Sequence, residues 1–332
     1  MQGRLENEMR LQKTTDEMMK NMPQFANEWY TNMKASRKTA STCQDYARKV
    51  KRFLEYVSDD MKNMSPDDIT LQACESYCIS CQTKKNDNGM IVYTSDSYQL
   101  TVWCALDSLL KFMKKRKYIP YDYMEDIEKP RNRDLDRIND ERVLLTQKDF
   151  KKILACAKSG RSYMNGLFNN RDVLIIILFM TTGMRKTALS EINMSDVNLK
   201  EKTLTVIDKG NKRHLYALND ETIEYINNWL VDRTQLNPDT DALLINRNGT
   251  RMLPAGISDV VKKNCEQALG KTLSPHKLRS GFCSILYDKT HDVEFVRRVV
   301  GHSNIQTTQR YIKTDGKEKE QAVEIMGNIL KI

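Results

Sequence analysis

"RDVLIIILFMTTGMRKTALSEI", Arg171 to Ile192, sets the frame for the whole chain. Its first half is apolar on every side, which predicts a helix buried all round and not a surface helix with one wet face. A Thr-Thr-Gly turn follows, and a second helix starts near Arg185. Upstream, "LLTQKDFKKIL" opens a new unit, with Thr146 as N-cap of a helix carrying Phe150 and Leu154. Downstream, "TLTVIDKGNKRHLYAL" alternates in both arms around a Lys-Gly-Asn-Lys turn and predicts a β-hairpin. From Ile257 onward the pattern is helical again.

The first third also reads as helices. "PQFANEWYTNM" spaces Phe25, Trp29 and Met33 four apart, and "STCQDYARKVKRFLEYV" puts Tyr46, Val50, Phe53, Leu54 and Val57 on one face. "SPDDITLQACESYC" predicts a helix with Ser65 as N-cap and Pro66 at its first position. "YTSDSYQLTVWCALDSLLKFMKKRKYI" predicts a long helix with Leu100, Trp103, Leu106, Leu110 and Met113 as its apolar side. It ends in Lys114, Lys115, Arg116 and Lys117, which suit a helix C-terminus as a solvated cap and equally suit phosphate. "EKPRNRDLDRIND", Glu128 to Asp140, is polar, charged and contains Pro130, as an extended linker does. The expected divisions are an N-terminal extension over 1–21, a helical unit over 22–127, a linker over 128–141 and a second unit over 142–332.

Composition narrows the class. The chain has 332 residues, 40% hydrophobic and 29% charged, enough apolar material for one or two cores and too much for disorder. The apolar run Val173 to Met180 falls far short of the roughly 20 residues that span a bilayer, and "MQGRLENEMRLQK" has no apolar signal core, so the expectation is a soluble, cytoplasmic protein with no membrane partner. A net charge of +9 points to a polyanionic partner, nucleic acid first. Eight cysteines raise the question of zinc or disulfides. In "CESYCISC", Leu71, Cys74, Cys78 and Cys81 recur at helical intervals and no second Cys or His pair follows at zinc spacing, so the thiols read as small buried hydrophobes in a reducing compartment, with no metal.

Near the end stands "GHSNIQTTQRYI", Gly301 to Ile312. A tyrosine hydroxyl with a pKa near 10 is a poor nucleophile alone. Phosphodiester cleavage needs a nucleophile, cations on the non-bridging oxygens and an acid for the leaving oxygen. Arg185 after its turn, Lys209 in the hairpin turn, His276 and Arg279 three apart in "PHKLRSGF", then His302 and Tyr311, supply candidates for each. Singly they are ordinary surface residues; their order is informative. "TTGMR", "DKGNKRH", "HKLR" and "GHSNIQTTQRY", in that sequence, resemble the tyrosine recombinase (phage integrase) family over nearly the whole second unit. The N-terminal helices resemble its core-binding domain through much weaker motifs.

That resemblance implies a mainly α fold: a helical, SAM-like core-binding domain and a mainly helical catalytic domain with a small antiparallel β-sheet. It implies Arg185 and Arg279 on the scissile phosphate, Lys209 as general acid toward the departing 5′-oxygen, His276 assisting proton transfer from the tyrosine, His302 hydrogen-bonding the phosphate, and Tyr311 as nucleophile. Cations crowded around one phosphate would favour tyrosinate character. The chemistry implied is transesterification through a 3′-phosphotyrosine with neither ATP nor a catalytic metal as cofactor. Partners implied are duplex DNA with inverted-repeat core sites and a homo-tetramer, with accessory DNA-bending or directionality factors possible. Lys114, Lys115, Arg116, Lys117, Lys212 and Arg213 are the expected DNA contacts. An apolar stripe in the tail, Ala322, Ile325, Ile329 and Leu330, suits docking on a neighbouring subunit or on its own domain.

Two positions depart from the family pattern. Ser280 follows the second arginine where a histidine is common, and Ala188 stands three after the first where an acid is usual. His214 reads as a structural residue of the return strand, His291 as a loop residue, and Tyr287 as a rival nucleophile among core neighbours. Integration or excision of a mobile element is the leading expectation; a chromosome-dimer-resolving recombinase, a type IB topoisomerase and a catalytically silent DNA-binding protein are the alternatives.

Overall fold

A computed structural model describes residues 2–86, 88–131, 145–160, 166–208 and 212–301. Two compact units emerge, Leu5–Glu141 and Arg142–Ile332, the second counted together with Met1–Arg4. Among the described residues no helix is long and apolar enough to cross a membrane.

The first unit is built from α1 (Gln2–Met19), α2 (Gln24–Ala35), α3 (Ala40–Val57), α4 (Leu71–Ser80) and α5 (Asp96–Lys115). Phe25, Trp29 and Met33 of α2 are buried as their spacing predicts, against Phe53 and Leu54 of α3 and Leu106, Leu109 and Leu110 of α5. The indole N–H of Trp29 donates to Ser108 Oγ at 3.2 Å, so a large ring enters the core with its polar atom satisfied. Thr39, Thr70 and Ser95 cap α3, α4 and α5 through their side-chain oxygens.

Two local expectations change. Ser65 caps only a single 3₁₀ turn, Pro66–Asp68, because Ile69 turns into the core and Thr70 is extended; the helix begins afresh at Leu71. The helix expected from Tyr93 begins at Asp96, and the residues before it form an antiparallel ribbon of β1 (Thr83–Lys85) and β2 (Ile91–Tyr93). Asn86 makes the turn, its side-chain oxygen accepting from the Asn88 and Met90 amides while Gly89 takes φ +76°.

The second unit contains α6 (Gln147–Ser159), α7 (Asn169–Thr182), α8 (Lys186–Ser190), α9 (Asp220–Gln235), α10 (Pro254–Leu269), α11 (Pro275–Thr290) and α12 (Val293–Val300). α7 is its axis. Every residue from Val173 to Phe179 is buried, and α6, α9, α10 and α11 all pack on it. Each such side chain stabilises the unit by about 2 kcal/mol. Thr146 closes a capping box with Asp149, whose carboxyl is held below the ordinary range by hydrogen bonds from the Thr146 backbone and side chain.

A three-stranded antiparallel sheet, β3 (Val197–Asn198), β4 (Thr203–Asp208) and β5 (Lys212–Ala217), lies in the order β3-β4-β5. Its register sets Val206 opposite His214 and Asp208 opposite Lys212. Strand alternation turns Leu204, Val206 and Tyr216 inward and leaves Arg213 and Leu215 exposed. His291, expected in a loop, is the C-cap of α11 in the left-handed conformation at φ +50°.

Gly183 ends α7 at φ +59°, and a Cβ there would overlap the Phe282 ring. Gly270 ends α10 at φ +65° with open space around it. Gly270→Ala should therefore cost about 1 kcal/mol of backbone strain, and Gly183→Ala about 3 kcal/mol because overlap adds to strain; urea unfolding of the two variants measures the difference.

Candidate active site

Arg185 is placed by the end of α7. Thr182 Oγ1 donates to Leu178 O at 2.5 Å and accepts from the Met184 amide at 3.2 Å, Gly183 reverses the chain, and Met184 is buried beneath the turn. Arg185 is then the N-cap residue of α8, half-buried at the mouth of the turn.

His276 and Arg279 lie one turn apart on α11, just after Ser274 and Pro275 start it. Arg279 is only 2% exposed. Its Nη1 donates to Gly183 O at 2.5 Å and its Nη2 to Val300 O at 2.7 Å. One guanidinium thus joins the turn before Arg185 to the end of α12, the residue before Gly301. The fork geometry of arginine makes this possible, since a lysine presents one point charge and no rigid pair of donors.

Desolvation, then Arg279, Lys277 and Arg185, lower the His276 pKa below its ordinary value. Arg279 bonds the carbonyl two residues before Arg185 and stands one turn after His276, so Arg185, His276 and Arg279 gather at one place. The imidazole is consequently held neutral, the form that can accept a proton. Such a cluster offers an anion two charged groups beside a neutral base. Burial pushes the nearby Cys283 thiol up to about 11, so this thiol is not a competing nucleophile at neutral pH.

The positions that depart from the family pattern have plain local roles. Ser280 Oγ donates to the His276 carbonyl at 2.9 Å. Ala188 is buried in the main core, where a carboxylate would need a partner. Tyr287 packs beside Cys283, Val296 and Val300.

His214 gains more definition than the sequence could give it. It projects from β5 against Gly301, where a Cβ would overlap its ring. Its Nε2 is buried with no hydrogen-bond partner among the described residues. Gly301, at φ +68°, therefore answers two demands, the left-handed cap of α12 and room for the imidazole.

Lys209, His302 and Tyr311 lie outside the described residues, as does the tail stripe from Ala322 to Leu330. Lys212 begins β5 and Arg213 is exposed beside it. In the first unit, Lys114 pairs with Glu125 at 2.9 Å and Arg116 lies over the Phe112 ring at 5.6 Å, while Lys115 and Lys117 are exposed. No group of three or more potential metal-ligating side chains occurs among the described residues. Burial pushes the Cys74 and Cys78 thiols up to about 12 and 11, in line with thiols that pack.

The model of the phage integrase family matches residues 144–318, more than half of the chain, and spans every element that builds the cluster. The chain belongs to the phage integrase family. A relative at 35% identity over 145 residues is the tyrosine recombinase XerC of Pseudomonas fluorescens (strain Pf0-1), a match covering 44% of this chain and 48% of that protein. The chain thus spans about half the length of that relative. The tyrosine recombinase XerD of Staphylococcus epidermidis (strain ATCC 35984 / DSM 28319 / BCRC 17069 / CCUG 31568 / BM 3577 / RP62A) is 29% identical over 277 residues, covering 82% of this chain and 87% of its own. Among solved structures, the site-specific recombinase XerH bound to difH substrate in a pre-cleavage complex has the same fold, with a TM-score of 0.64 at 22% identity, covering 88% and 81% of the two chains. The mainly helical fold with a small antiparallel sheet is therefore that of the phage integrase family.

Two outcomes follow for this cluster. Arg279→Lys should lower stability by about 2 kcal/mol or more, because two buried carbonyls lose their forked donor, seen as an earlier urea midpoint. His276 is held neutral in the folded state, so unfolding takes up a proton below its ordinary pKa of about 6.5 and stability falls as pH drops through that value. His276→Gln should lose less stability than the parent chain between pH 7.5 and pH 5.5.

Proposed function

We propose that this protein is a site-specific DNA recombinase that cleaves and rejoins duplex DNA through a 3′-phosphotyrosine. The observation that carries this reading is the cluster of Arg185, His276 and Arg279, joined through Arg279 to the segment that leads into Gly301. In this reading Arg185 and Arg279 neutralise the non-bridging oxygens of the scissile phosphate. The Tyr311 oxygen attacks phosphorus, its proton passing to neutral His276, and the P–O5′ bond breaks as Lys209 delivers a proton to the departing oxygen. His302 hydrogen-bonds the phosphate. Rejoining is the same sequence reversed with a 5′-hydroxyl as nucleophile, so bond energy is conserved and no nucleotide cofactor is consumed. The enzyme would act on inverted-repeat core sites as a homo-tetramer, with the C-terminal tail docked on a neighbour and accessory factors setting direction.

Integration or excision of a mobile element is the role we assign. Resolution of chromosome dimers is the second reading, favoured by the relatives named XerC and XerD. Sequence flanking the gene discriminates them: attachment-site repeats bounding an inserted segment support the first, and their absence the second.

Tyr311→Phe should bind duplex DNA yet form no covalent adduct on a nicked suicide substrate. Lys209→Ala should regain cleavage when the leaving 5′-oxygen is replaced by sulfur, which departs without a proton, whereas Arg185→Ala should stay about a hundredfold slow on either substrate. An adduct mapped by mass spectrometry to Tyr287 would reject the assignment of the nucleophile.

A further inference from the structure

The β1–β2 ribbon of the first unit does nothing visible for its own fold. Strand burial is negligible: among its six residues only Val92 is half-buried, and the rest are exposed. Large apolar groups nevertheless crowd it. Tyr93 is 85% exposed, Ile91 72% and Met90 58%. Apolar side chains held this far into water mark a surface that is covered in use.

Register defines what the ribbon presents. Thr83 stands opposite Tyr93 and Lys85 opposite Ile91, so these four share one face, while Lys84 and Val92 share the other. Neither lysine has an ion-pair partner among the described residues. The sequence from Thr83 to Tyr93 holds one acid, Asp87, against two lysines. The ribbon is held firmly at both ends: Thr94 bonds back to Gln82 O and Cys81 O at 2.8 and 2.6 Å, and Asn86 closes the turn. It therefore meets a partner already in shape, with little ordering entropy left to lose.

Charge selects the partner. Lysine is depleted from the cores of protein–protein interfaces, where tyrosine and apolar residues dominate. A lysine, Lys85, sharing one face of a two-stranded ribbon with a tyrosine and an isoleucine matches a different surface, a duplex groove that admits such a ribbon between two rows of phosphates. We propose that the β1–β2 ribbon is a duplex-DNA contact of the N-terminal unit, with Ile91 and Tyr93 packed in a groove and Lys85, on the same face, on the adjoining phosphate. This rests on the recombinase reading for its choice of DNA.

The test uses the full chain and a labelled duplex of arbitrary sequence. Tyr93 is replaced by p-azidophenylalanine and irradiated on the DNA, while the Lys85→Ala variant is titrated by gel shift across salt concentrations. The expected results are a protein–DNA crosslink and a slope of log affinity against log salt reduced in magnitude by about 1, one phosphate contact having been lost. A chain that shifts the duplex but crosslinks to a second copy of itself, or to nothing, with an unchanged slope, overturns the ribbon proposal and leaves the recombinase reading standing. A chain that fails to shift any duplex at low salt overturns both. Both strands of the ribbon are exposed, so the variants should unfold at the parent temperature, and a lower one would assign the ribbon to folding and reject the proposal.

Discussion

The guanidinium of Arg279 is the constraint around which the second unit is arranged. It is a cation with almost no exposure, and its two documented bonds go to backbone carbonyls that close different elements, Gly183 O at the end of α7 and Val300 O at the end of α12. Buried carbonyls need donors, and a buried cation needs acceptors; each demand here answers the other. The consequence reaches the chemistry. Arg185 follows one of these carbonyls by two residues, Gly301 follows the other by one, and His276 sits one turn before Arg279 itself. A residue that the recombinase reading places on the phosphate is thus also the residue that aligns the cluster, and the two roles are coupled in any substitution.

Packing makes that alignment firm. α7 is enclosed on all sides by α6, α9, α10 and α11, so its C-terminal turn has little freedom to shift. Gly183 allows the turn to reverse directly against Phe282, and Gly301 allows α12 to end directly against His214. Both glycines place backbone where any side chain would collide. Electrostatics follows from the same closeness: desolvation first, then the charges of Arg279, Lys277 and Arg185, lower the His276 pKa and favour a neutral imidazole. That arrangement attracts an anion and can take a proton from a weak acid beside it.

Much of this was legible in order along the chain. The all-round apolar run from Val173 predicts the buried helix, the alternation around Lys209 predicts the hairpin of β4 and β5, and Thr146 predicts the start of α6. These are local signals, and local periodicity survives into the fold because each element buries the face its pattern marks. Where the fold departs from a local signal, a neighbour outweighs that signal. Ser65 and Pro66 carry a sound helix start, yet Ile69 is drawn into the core and the helix resets at Thr70. No core-directed pattern marks the ribbon before α5, because its strands are three residues each and its apolar side chains face water.

The sequence by itself determined which groups are present and in what order: arginine, lysine, histidine three before arginine, histidine, tyrosine. It also determined that the two central ones, His276 and Arg279, share a helical face, because that spacing is a property of one helix. Only the tertiary structure decided that Arg185, from a turn more than ninety residues earlier, meets them, and that Arg279 turns two of its donors inward to Gly183 and Val300. It likewise decided that His214, unremarkable on its strand, lies against Gly301. The reason is physical: periodicity reports the face a residue occupies, whereas long-range partnership depends on how separate elements close over a common core, and no local spacing encodes that closure.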